Sequence, residues 1–387
     1  MTKLETFTVI SLFFLPFSTL VVRQDFANNK FDLLAKYNLT ISEVAVYDST
    51  FLLWFSISLI LNGFISSRLM TTTYKLIHLL VSVAGCLIFI LVFYDPNTSK
   101  EDSLLSWNLH AIFLASIWPI SFSLISPIIK NNFIKCIWTA NGVVGQYSAY
   151  FINLLFPTYL LYVFCAFLNV VLIILYYLYD QGIEQGEGTV IEPVLDINRN
   201  INPNPERTLT IVKRVKRPYA ILTCTCLMMC PIKFISSSIS NWLPSKNHDL
   251  YQLYSLSTFL GTVYVGVTTS WFKSYDLLFF LLLTCQIIVY QIGFSFGLFD
   301  HTVIWFFIGF AFGSISTLQE ILICEKNAAY LGKGNKIALM TSLMSFIGNV
   351  GNAIIQNYVY MDLNLYIVVF GYVLFGVAFV KYLVKYR

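Results

Sequence analysis

Long uncharged stretches, interrupted by short polar clusters, organise the chain. An α-helix needs about 20 predominantly apolar residues to cross the hydrocarbon core of a bilayer. On that measure twelve membrane-spanning helices are expected, at 6–27, 47–69, 74–94, 104–128, 134–155, 158–179, 219–243, 250–271, 275–296, 303–324, 336–359 and 363–382. No other segment is long enough for a soluble domain. Six spans precede and six follow one polar stretch, 180–217. The expected fold class is therefore all-α and polytopic, with twelve transmembrane helices in two pseudo-symmetric six-helix halves. Residues 1–179 form the N-terminal bundle, 180–217 a central cytosolic linker and 218–387 the C-terminal bundle.

Composition agrees with a membrane solvent. Apolar residues make up 57% of the 387 and charged residues 11%, against about 25% charged in a soluble chain. The net charge of +4 is scattered over helix ends rather than massed on a face, so it says little about nucleic acid and no nucleic-acid partner is expected. The eight cysteines fall in or beside apolar runs and read as small apolar residues, with no metal site expected. The first apolar run, 6–22, is followed by Arg23-Gln-Asp rather than a small-x-small cleavage site, so it reads as a retained helix. The linker opens acidic and Gly-rich and ends in Lys213-Arg-Val-Lys-Arg217, which reads as a flexible segment with its basic end against a membrane surface or, equally, as a solvated charge run.

Lysine and arginine set the orientation. With both termini cytosolic, 18 of the cations, Lys75, Lys135 and Lys381 among them, fall on the cytosolic side and 4 opposite, which satisfies the positive-inside rule. Two N-glycosylation sequons, at Asn38 and Asn97, then lie in non-cytosolic loops. The two cations left over are Arg23, late in span 1, and Lys233, near the middle of the uncharged run from Tyr219 to Leu243.

A lysine at mid-helix costs roughly 2.5–3.5 kcal/mol on insertion scales, so a chain that keeps one faces it toward a partner or a water-filled cavity. Lys233 reads as a buried cation awaiting an anion; the bland alternative is an ion pair with a carboxylate on another helix. Spans 1 and 7 are equivalent helices of the two halves, and each contributes one cation. Spans 5 and 11 are likewise equivalent, and both are Gly-rich, with Gly145 in one and Gly348 and Gly351 in the other. Such glycines allow close helix approach and flexing in a rocking transporter. Glu320 and Glu325, near the cytosolic end of span 10, are candidates to gate by pairing with Arg68, Lys130 or Lys333, and helix-end charges are the simpler reading of both. His78, His110, His248 and His301 read as isolated residues near span ends or in loops. There is no nucleophile–base pair, phosphate-cradling loop or metal constellation, so neither an enzyme nor a cofactor is expected.

Several segments, in one order along the chain, resemble the sugar-phosphate exchangers of the organophosphate:phosphate antiporter group in the major facilitator superfamily. Arg23-Gln-Asp-Phe-Ala-Asn28 is similar to that family's Ser-Arg-Lys-x-Phe-x-Asn stretch. The run from Asp48-Ser-Thr-Phe-Leu-Leu-Trp-Phe-Ser56 to Gly63-Phe-Ile-Ser-Ser-Arg68-Leu resembles its span-2 signature. Trp118-Pro119, Trp138-Thr-Ala-Asn141 with Val144-Gly145, and Lys233 followed by Trp242-Leu-Pro are similar to further elements. So are Lys333-Gly-Asn335 and Gly348-Asn-Val-Gly351.

The resemblance implies a major facilitator fold and an antiporter that exchanges a sugar phosphate or glycerol phosphate for inorganic phosphate by alternating access. It implies that Arg23 and Lys233 grip the phosphate, with Gln24, Trp138 and Asn141 beside them. It also implies gating or packing roles for Asp48, Arg68, Gly145, Gly348 and Gly351. The expected setting is the endoplasmic reticulum or another internal membrane, as a monomer in the lipid bilayer. Two unneutralised cations would make rocking of the empty carrier costly and so favour exchange over net flow. The chain departs from the family at Gln24, where a second span-1 cation is replaced, and at Asn141, where a histidine is. It also carries Ser67 and Ser345 in place of acidic residues. A transport-inactive scaffold subunit and a facilitator of another organic anion are the alternatives.

Overall fold

Helices occupy all twelve expected segments of the computed structural model, which describes residues 2–28, 30–68, 71–185, 218–269, 271–272, 274–328, 331, 336–359 and 363–386. The linker beyond 185, Lys333-Gly-Asn335 and the side chain of Trp242 lie outside the described residues. The first group comprises α1 (Lys3–Asn28), α2 (Lys30–Tyr37), α3 (Ile41–Arg68), α4 (Thr72–Tyr94), α5 (Lys100–Leu114), α6 (Ile117–Ile125), α7 (Asn132–Thr139), α8 (Asn141–Leu155) and α9 (Leu160–Gln185). The second comprises α10 (Pro218–Lys246), α11 (His248–Thr268), α12 (Tyr275–Ser295), α13 (Thr302–Thr317), a π-helical turn (Leu318–Ile323), α14 (Cys324–Ala328), α15 (Ile337–Val359) and α16 (Leu363–Tyr386).

Polar side chains mark where helices start. Thr71, Ser99, Asn131, Asn247 and Ser274 each stand at an N-cap and accept a hydrogen bond from a backbone N–H of the first turn. Interruptions also have local causes. Span 4 breaks between α5 and α6 at Ala115-Ser116, just ahead of Pro119. The proline ring cannot donate a backbone bond and crowds the carbonyl four residues earlier, which is that of Ala115. Span 5 breaks at Ala140, where Asn141-Gly142 supplies two weak helix formers. The short helix α2 and the extension of α9 five residues beyond 180 differ from the sequence reading, which placed a loop and the linker there.

Nine helices among the described residues are long and apolar enough to cross a membrane, so the chain is an integral, multi-pass, all-α protein. Of the other three expected spans, α15 is apolar over Ile337–Ala353, whereas α7–α8 and α11 fall short of that measure. These two carry Thr139, Asn141 and Gln146, then Tyr254, Thr258 and Thr262, and all of these face one internal cavity. A helix that lines a wet cavity has to be polar along one side, which lowers its mean hydropathy.

Helix pairings recur between the groups. In the first, α1 packs on α8 and α9, α5 on α3 and α4, and α4 on α9. In the second, α10 packs on α15 and α16, α13 on α11 and α12, and α12 on α16. Between the groups, α3 lies against α15, α11 lies against α7 and α8, and α1 meets α10. Glycines permit the closest of these approaches. A Cβ on Gly145 would stand 2.6 Å from the Phe17 carbonyl oxygen, and one on Gly351 would overlap Cys230 Sγ. Gly145, Gly348 and Gly351 thus act in helix packing.

Three of the cations assigned above to the cytosolic side, Lys75, Lys135 and Lys381, are buried rather than solvated. His110 also differs from its reading as a span-end residue. It lies inside the first group, fully buried, and its Nε2 is 3.0 Å from the Tyr162 hydroxyl. The Asn38 and Asn97 side chains are exposed at one end of the molecule, where Lys36 donates to the Asp95 carbonyl and Tyr37 to the Thr98 carbonyl. In translation with mammalian microsomes, both asparagines are expected to be glycosylated. Asn38→Gln and Asn97→Gln should each remove one glycan step on a gel, whereas acceptance at neither would put that end in the cytosol.

Candidate functional site

The cavity lies between the two groups and holds about 230 Å³, room for several waters or a small metabolite. Arg23 reaches it from α1, Asn141 from the start of α8, Lys233 from α10 and Glu320 from the π-helical turn. A π turn inserts one residue into the helical repeat and re-aims the side chains around it, a feature common at functional sites. Two residues ahead of Lys233, Pro231 removes one backbone hydrogen bond from α10.

Lys233 Nζ donates to Glu320 Oε2 at 2.8 Å, and each side chain is about one-fifth exposed, toward the cavity (23% and 20%). Lys233 is thus an ion-paired cation rather than one awaiting a counter-charge. Glu320 pairs with it rather than with Arg68 or Lys130, and Lys333 lies outside the described residues. The other cation also has acidic company: the charge of buried Asp48 acts on Arg23, whose guanidinium lies 5.5 Å from the Phe51 ring centroid. With Lys233 paired to Glu320, the cavity does not present the expected pair of unneutralised cations.

Asn141 is fully buried at the cavity wall, and among the described residues neither its Oδ1 nor its Nδ2 has a hydrogen-bond partner. A buried amide left in that state calls for a ligand or water to complete it. Gln24 and Trp138 are not in the wall. Gln24 Oε1 accepts from the Tyr251 hydroxyl at 2.6 Å, and its Nε2 donates to Asn28 Oδ1 at 3.1 Å. It bridges α1 to α11, one from each group. Trp138 Nε1 donates to the Val9 carbonyl at 3.0 Å, and its ring stacks behind Trp118 with centroids 5.9 Å apart. Trp118 faces the cavity, so Trp138 supports the wall from behind. Arg68 is exposed and lies over the Phe64 ring, away from the cavity.

Sequence reasoning missed a second cluster. Lys135 Nζ, from α7, donates to Glu325 Oε1 and Oε2 at 2.9 and 2.6 Å, and Ser126 Oγ donates to Glu325 Oε1 at 2.7 Å. Lys135 and Ser126 belong to the first group and Glu325 to the second. The bonds of Gln24 and those of Glu325 join the groups at opposite ends of the cavity, beyond Arg23 and Glu320 respectively.

No protein-family model matches the chain. No curated protein matches it either.

Proposed function

We propose that this protein is a secondary transporter that moves a phosphorylated small metabolite, a sugar phosphate or glycerol phosphate, across a membrane by alternating access. Inorganic phosphate is its exchange partner. One observation carries the reading: a central cavity between two helix groups of matching internal contacts holds Arg23, Lys233 and the unpartnered amide of Asn141. A guanidinium offers a bidentate fork to phosphate oxygens, an ammonium a compact point charge, and an amide a neutral donor. Twelve crossings in a major facilitator arrangement, with both termini cytosolic in an internal membrane, fit the alternation of the helices and the distribution of charge. The cross-group bonds at the two ends of the cavity are then its gates, and rocking breaks one set while the other holds.

Counterflow in proteoliposomes tests the proposal. Vesicles loaded with unlabelled phosphate are expected to take up labelled phosphate, and hexose phosphate or glycerol phosphate should compete. Arg23→Ala should lower uptake at least tenfold, since a hydrogen bond to a charged group contributes about 1.5–3 kcal/mol. Asn141→Ala should lower it about threefold to tenfold, the value of one neutral hydrogen bond. Absence of counterflow by well-folded parent protein would remove the reading.

A further inference from the structure

Glu320 shares the cavity with the cations meant for the cargo, and the carrier reading above gives it no task. Its bond to Lys233 lies wholly within the second helix group, between α10 and the π-helical turn. Rocking of one group against the other therefore leaves it intact, and only a competitor for Lys233 Nζ breaks it. The cargo is such a competitor. A phosphate monoester, with a second pKa near 6, is mostly a dianion at neutral pH. Once its oxygens take Lys233, the dianion and the Glu320 carboxylate confront each other in about 230 Å³. Like charges that share a confined site favour protonation of one of them.

We propose that Glu320 is a proton-binding carboxylate that couples anion transport to one proton and lets the empty carrier return. In the empty cavity Glu320 holds Lys233, and the site is electrically balanced without cargo. When the anion binds, Lys233 Nζ moves its hydrogen bond to a phosphate oxygen, and Glu320 takes one proton from the side the cavity faces. On release, the proton leaves Glu320 and its carboxylate takes Lys233 back. Exchange with phosphate remains one mode of this cycle but is not obligatory. The ionisable groups facing Glu320 across the cavity are Lys233 from α10, Arg23 from α1 and Tyr254 from α11. Along its own helix are Cys324 and Glu325, the second of them held by Lys135.

The inference rests on the carrier reading, and one set of vesicles separates the two. Labelled inorganic phosphate is offered to phosphate-loaded and to phosphate-free proteoliposomes, with the membrane potential clamped at zero. Counterflow into loaded vesicles reports the carrier. In phosphate-free vesicles, one pH unit more acid outside is expected to drive accumulation to about tenfold, the free energy of one proton over that gradient. Counterflow without accumulation would overturn the coupling and leave the carrier; neither uptake from folded protein would overturn both. Glu320→Gln should abolish the acid-driven accumulation. If E320Q accumulates phosphate like the parent, the proton travels on the phosphate monoanion and Glu320 has no such role. Glu320→Asp keeps the titrating group and should accumulate; exchange without accumulation in E320D would also count against the proposal.

Discussion

Lys233→Ala is expected to abolish phosphate counterflow and to lower thermal stability in detergent, and a second substitution should separate the two losses. Removing the ammonium leaves the Glu320 carboxylate in the cavity without its 2.8 Å partner. Breaking one side of a fully buried pair costs about 3–5 kcal/mol. Both groups here are about one-fifth exposed to the cavity, and water reduces that cost to about 1–2 kcal/mol. Pairing the change with Glu320→Gln removes the stranded charge, so K233A/E320Q should regain most of the lost stability. It should regain none of the transport, because the cation that meets the phosphate is still missing. A charged hydrogen bond is worth about 1.5–3 kcal/mol, so phosphate affinity falls about 10- to 150-fold in both variants. Thermal unfolding and counterflow on the same four proteins form a double-mutant cycle that isolates the pair. Counterflow that survives K233A would place the anion site elsewhere.

The same pair shows what a sequence can and cannot disclose. A charge in a long apolar run is visible, because the bilayer makes it expensive; Arg23, Lys233 and the twelve helical segments were legible for that reason. A partner 87 residues away is not visible, since hydropathy says nothing about which helix faces which. Glu320 read as a helix-end charge because the expected span stopped at 324, whereas helix continues through the π turn to Ala328. Lys135 read as a cytosolic-side cation because it starts a span; its burial depends on α11 and the π turn, which pack around α7 from the other group.

Motif likeness had a similar limit at the cavity wall. Asn141 was recognised as a site residue and stands there with its amide unpartnered. Gln24 and Trp138 sit one position and one ring away from the wall, and adjacency in sequence could not tell which side chain points inward. Gln24 follows Arg23 directly, so on a helix its side chain is turned about 100° from that of Arg23. That turn aims it at Tyr251 instead of the cargo. Trp118, on α6, takes the place expected for Trp138 by stacking in front of it.

Breaking the Lys135–Glu325 contact should shift the protein toward the state open at that end, and the two possible single changes should differ in size. Lys135 is almost wholly buried, its side chain 4% exposed, whereas Glu325 is 32% exposed and also holds Ser126. Glu325→Gln leaves a buried ammonium with only a neutral amide to face it. Lys135→Met leaves a carboxylate that water and Ser126 still satisfy, and puts an apolar chain where an aliphatic stem already lay. The larger shift is therefore expected from E325Q. Differences of about 1–3 kcal/mol between two such states change their ratio about 5- to 150-fold. Spin labels at the exposed positions Lys130 and Lys326, one on each group, read the change as a longer distance population. Phosphate counterflow should fall about tenfold in E325Q, because a gate that does not close leaves the cargo on one side of the cycle. An unchanged distance distribution in both variants would make the contact a static brace between the groups rather than a gate.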